Sequence, residues 1–204
     1  RFTLPILAAF LVADGALGFT AAPGVSTIRS FKPSLRTAAG PRDHLTGRTA
    51  LKMDLDTIEL KHTNGHSATI YPFGACVGSY KAPHEVLFIR PDAKMDGSKP
   101  ISGGVPHCSP QFGPGEIQQH GFARNLVWKV SNDMSKDKEN PSVTMELVEN
   151  EETMAMWPNK FKAVYRVGLD EDRLDCELTV TNTDDKAWDF QAALHTYFAT
   201  SDID

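Results

Sequence analysis
The chain predicts an all-β fold, an antiparallel β-sandwich. Three observations carry that prediction. Apolar residues recur at period two through several segments, so each strand buries one face and wets the other. Asn64-Gly65 stands between two β-like runs, the strongest short-range signal of a hairpin. No long stretch sustains the 3.6-residue period of an amphipathic helix. A chain of 204 residues, 41% hydrophobic and 23% charged, is sufficient for one sizeable globular domain.

The first fifty residues differ from the rest. Residues 4–17 (LPILAAFLVADGAL) are short and apolar, interrupted by Asp14, with small residues following. That is the shape of a signal-peptide core, too short for a comfortable membrane span. From Phe19 the chain turns rich in Ser, Thr, Ala and Pro, with Arg29, Lys32, Arg36, Arg42 and Arg48 against one acid, Asp43. Acid-poor, basic and hydroxylated is the composition of a transit peptide. The two segments together resemble the two-part plastid presequence of algae with secondary plastids. Residues 1–50 are therefore expected to be a targeting presequence to the plastid, and 51–204 the folded portion. The alternative is a disordered basic tail and a cytoplasmic protein.

The strands follow in order. Ile58 and Leu60 alternate with Glu59 and Lys61, and the hairpin returns through 68–71. The continuous apolar run 86–89 predicts a buried strand. Residues 96–100 (DGSKP) read as a turn. Leu126, Trp128 and Val130 alternate with Val127 and Lys129, and the polar stretch 131–141 reads as a loop. Val143, Met145 and Leu147 share a face, as do Phe161, Ala163, Tyr165, Val167 and Leu169. After a turn at 170–172 the pattern repeats in Leu174, Cys176, Leu178 and Val180, and after 182–185 in Trp188, Phe190, Ala192 and Leu194.

Composition limits the function classes. A net charge of −5 argues against nucleic acid as partner. The three cysteines are far apart and form no CxxC pair, so neither a zinc site nor a disulfide framework is expected. Once any presequence is removed, no membrane association is expected, and the protein is expected to be a monomer.

Chemistry concentrates in residues 103–124 (GGVPHCSPQFGPGEIQQHGFAR). Five glycines and three prolines in so short a run predict a long ordered loop, and such loops are usually functional. At its end Gln119, His120 and Arg124 bring an amide, an imidazole and a guanidinium, groups suited to an oxygen-rich, anionic ligand. A guanidinium binds phosphate through two parallel charge-assisted hydrogen bonds. His107, in the same run, reads as a loop residue. On the last strand His195 and Tyr197 share a parity opposite to Leu194, Thr196 and Phe198. An imidazole can exchange a proton near neutral pH, which makes His195 a general-acid candidate.

The loop motif, extended to Asn125, and the later LHTYFATSDI together resemble the hexose-6-phosphate mutarotases, or glucose-6-phosphate 1-epimerases, of the aldose 1-epimerase superfamily. The resemblance runs from about Asp54 to the chain end. It implies a galactose mutarotase-like β-supersandwich that interconverts the α and β anomers of hexose 6-phosphates without a cofactor or metal. It implies His195 as catalytic acid, Gln119 and Arg124 on the sugar phosphate, and His120 beside the sugar. Two departures stand out. Many relatives carry arginine where this chain has Ser102, so a free sugar is an alternative substrate; Arg90 and Lys99 are nearby cations that could compensate. The family's catalytic glutamate falls beyond Asp204, and Glu116 does not match it. The chain is therefore expected to be truncated, inactive by itself and poorly stable. A non-catalytic sugar-phosphate-binding domain is the remaining alternative.

Overall fold
The computed structural model describes residues 18–21, 23–30, 55–131, 134–135 and 137–200. In chain order the strands are β1 (Gly18–Ala21), β2 (Gly24–Ser30), β3 (Ile58–Lys61), β4 (Ser67–Tyr71), β5 (Cys76–Lys81), β6 (His107–Cys108), β7 (Lys129–Val130) and β8 (Ser142–Val148). Helix α1 (Glu151–Met156) follows, then β9 (Phe161–Leu169), β10 (Leu174–Asn182), β11 (Trp188–Gln191) and β12 (Ala193–Leu194). One sheet has the order β2-β10-β9-β8-β7 and a second the order β3-β4-β5; β1-β11 and β6-β12 are separate pairs. Every one of these ladders is antiparallel.

The alternation read from the sequence is what builds the core. In β10, Leu174, Cys176, Leu178 and Val180 are buried, and the residues between them are half-exposed. Val143, Met145, Tyr165 and Val167 are fully enclosed on β8 and β9. They share one continuous core with Ile70, Val77 and Tyr80 of the second sheet, and with Phe122 and Trp128. Two sheets each turning one apolar face inward define a sandwich. Burying each such side chain contributes about 1.5–3 kcal/mol, which favours this register over a one-residue slip.

Three local expectations change. Residues 86–89 do not form a continuous buried strand. They alternate, with Leu87 buried and Phe88 exposed, and are held by isolated bridges from Leu87 to Phe198 and from Ile89 to Gly103. The segment is paired by its backbone on both sides, the Phe88 N–H donating to the Tyr197 carbonyl and the Gly104 N–H to the Phe88 carbonyl, while the Phe88 side chain faces out. The predicted 188–194 strand changes partner midway, so β11 pairs with β1 and β12 with β6. Helix α1 was not expected. Six residues are too few to show a helical period, and its start is marked instead by a capping box between Asn150 and Thr153. Strands β1 and β2 fall within residues 1–50 and pair with β11 and β10. No helix among the described residues is long and apolar enough to cross a membrane.

Candidate active site
The glycine-proline loop and the last strand meet through short, specific backbone contacts. In the β6-β12 pair, Cys108 faces Ala193 and His107 faces Leu194. The contact continues beyond the ladder: the His195 N–H donates to the Pro106 carbonyl at 3.0 Å and the Tyr197 N–H to the Gly104 carbonyl at 2.8 Å. His195 is thus held against the beginning of the loop. The end of the loop returns to the same place because Gly121 closes on Ser109, with which it bridges. Gly121 has φ +69°, and any Cβ there would run into the Ser109 carbonyl, so only glycine permits this approach.

The result is a cavity of about 200 Å³ lined by Lys99, Pro100, Ile101, Ser102, Pro106, His120, Arg124, His195 and Tyr197. Residues 75 positions apart in sequence, His120 and His195, face each other edge-on with ring centroids 5.9 Å apart. Tyr197 lies 5.0 Å from His195, as their shared strand parity predicts. His195 is exposed. Gln119, also exposed, does not line the cavity; it touches the site through a 3.5 Å contact from its amide nitrogen to His120 Nε2.

The hydrogen bonds assign roles. The Gly113 N–H donates to His120 Nδ1 at 3.1 Å, so in the neutral ring the proton sits on Nε2. Partial burial, then the nearby Arg124 charge and His195, hold the His120 pKa below its usual value. His120 therefore offers a neutral donor near pH 7, and it does so from a left-handed backbone with φ +68°. Such backbone in a non-glycine residue is uncommon and concentrates at functional positions. Arg124 follows Ala123 in a 3-10 turn, Ala123–Asn125, and its Nη2 donates to the Gln119 carbonyl at 2.9 Å. The Nε of Arg124 is buried without a partner.

The model of the family described as aldose 1-epimerase matches residues 56–204. The chain belongs to the aldose 1-epimerase family. It is 37% identical over 159 residues to a "Putative glucose-6-phosphate 1-epimerase" of Cenchrus ciliaris, covering 73% of this chain and 48% of the relative. A protein of the same name from Escherichia coli K12 is 35% identical over 157 residues, covering 74% and 50%. Among solved structures, a "putative mutarotase (YeaD)" of Salmonella typhimurium superposes with TM-score 0.63 at 32% identity, covering 71% of this chain and 48% of that one. The expected galactose mutarotase-like sandwich is the fold observed. The chain spans about half the length of the curated relatives it matches.

Pro100, Ile101, Pro106 and Tyr197 line the cavity without having been sequence candidates, and Lys99 and Ser102 were named only as a nearby cation and as a departure from the family pattern. His107, read as a loop residue, is instead buried in the core at 1% exposure, between Trp128 and Tyr165. No carboxylate lines the cavity among the described residues, and no group of three or more His, Cys, Asp or Glu there is placed to hold a metal.

Proposed function
We propose that the complete protein interconverts the α and β anomers of a hexose 6-phosphate by acid–base ring opening. The observation carrying this reading is the convergence of His195, His120 and Arg124 on one cavity from two distant stretches of chain. His195 delivers a proton to the ring oxygen as a base takes the proton of the anomeric hydroxyl. The ring opens to the aldehyde, the C1–C2 bond rotates, and closure on the other face gives the second anomer. His120 Nε2–H donates to a sugar oxygen, Arg124 holds the phosphate end, and Gln119, off the cavity wall, acts through its contact with His120. The names of the relatives support the reaction and the substrate class. The base comes from outside the described cavity lining.

The test is anomer exchange by NMR, using the full-length protein with glucose 6-phosphate and with glucose. Exchange of glucose 6-phosphate well above the spontaneous rate, and faster than that of glucose, is expected. Equal efficiency on both would favour the free-sugar reading, which Ser102 on the cavity wall keeps specific. No acceleration of either would leave a binding domain.

The plastid destination of residues 1–50 is likewise proposed on composition alone. A fluorescent reporter carrying them should localise to the plastid, and a diffuse cytosolic signal rejects the assignment.

A further inference from the structure
The cavity carries an imbalance of charge. Lys99 and Arg124 line it, the remaining polar side chains are Ser102, His120, His195 and Tyr197, and among the described residues no acid lines it. A locally cationic wall attracts an anionic ligand. The neighbouring cation Arg90 is already engaged: its Nε and Nη2 donate to the two carboxylate oxygens of Asp92 at 2.9 and 2.8 Å, and it does not line the cavity. Among the described residues, Lys99 is the cation besides Arg124 that lines the cavity.

Its position is set by both flanks. On one side the Asp96 carboxylate accepts from the Ser98 N–H at 3.0 Å and the Ser98 hydroxyl at 2.6 Å, which closes the turn. On the other, Ile101 is buried at 3% exposure in a small cluster with Phe73 and Cys76. The Ser102 carbonyl then accepts from the Arg90 N–H at 2.9 Å. A pinned backbone carries a long, exposed side chain whose ammonium can swing onto an anion without dragging the loop.

We propose that Lys99 is the specificity residue for the phosphate group, closing on it from its place on the cavity lining while Arg124 holds it from the end of the glycine-proline loop. The inference rests on the hexose 6-phosphate reading and names the group that makes this chain prefer a phosphomonoester dianion over a neutral sugar. Ser102 contributes a neutral hydrogen bond and cannot supply that preference; a second full charge can. The Arg124 Nε, buried and unpaired, is a further unmet donor at this end of the site.

The experiment compares wild type, Lys99→Met and Lys99→Arg in the full-length protein. For Lys99→Met the KM for glucose 6-phosphate should rise roughly tenfold with kcat little altered, the signature of lost ground-state binding. Its preference for glucose 6-phosphate over glucose should fall by the same factor, and Lys99→Arg should recover most of it. An unchanged KM and an unchanged preference in Lys99→Met overturn the inference while leaving the anomerase reading intact. If the full-length protein equilibrates no hexose 6-phosphate, that reading fails, and calorimetry with inorganic phosphate decides Lys99 alone. Weaker binding to Lys99→Met supports the clamp, and equal affinity overturns it.

Discussion

On the proposed mechanism, replacing His195 with alanine in the full-length protein should lower kcat for anomer exchange by roughly 10²–10⁴, the worth of a positioned general acid. The ring stands on a wall of the cavity rather than inside the core, so its loss removes a proton donor without opening a packing void. Its backbone is fixed by the bond to the Pro106 carbonyl, which the substitution leaves in place. The effect should therefore appear in kcat and in kcat/KM together, with KM little changed, because the interaction is made only as the ring oxygen gains its proton. His120 is 5.9 Å away but is a poor substitute. Its Nδ1 is committed to the Gly113 N–H, and burial with the Arg124 charge disfavours its protonated form. His120→Ala should accordingly raise KM more than His195→Ala does. A His195→Ala protein that retains full turnover would remove this residue from the chemistry and shift attention to Tyr197, the other proton-bearing group beside it.

How much of this was legible beforehand differs by element. Strands β8, β9 and β10 were readable because each has one face in the core and one outside, and their hydrophobic period is a direct image of that. Strand β5 was not. Cys76, Val77 and Gly78 are all buried in succession, and the pairing skips Gly78, the register shifting opposite Thr69/Ile70. A strand enclosed on both faces shows no alternation to read. The site was legible as residue types, since the loop's glycines and the parity of His195 and Tyr197 are local properties. Which groups face the cavity was not. Lys99 and Arg90 look equivalent as nearby cations, and only the Arg90–Asp92 pair and the cavity wall separate them. His107 shows the same limit from the other side. Among glycines and prolines it reads as a loop residue, and its burial depends on β6 pairing with a strand that lies more than eighty residues away.

That buried histidine should make the fold sensitive to acid. Its ring stands edge-on to Tyr165 at 4.2 Å and tilted against Trp128 at 5.2 Å, with neither nitrogen hydrogen-bonded. A void of about 20 Å³ beside it is lined mostly by apolar and aromatic side chains. Burial pushes the pKa from 6.5 down to about 4; the Ala75 backbone pulls weakly the other way without closing a hydrogen bond of good geometry. The folded protein therefore keeps His107 neutral at pH values where the unfolded chain protonates it. Between about 6.5 and 4 the unfolded state binds the extra proton, so stability must fall as pH falls. The contribution is fully present above 6.5 and is lost progressively as pH drops through 4, a change of about 3 kcal/mol. Leucine, similar in volume and without a titrating group, isolates the effect. Urea unfolding of wild type and His107→Leu across pH 7.5 to 4 should give curves that converge or cross. The wild type should lose about 3 kcal/mol more than the variant over that interval. Carboxylates with lowered pKa, such as Asp184, contribute equally to both proteins and cancel in the difference. Parallel curves would mean that His107 is protonated, or solvated, in the folded state after all.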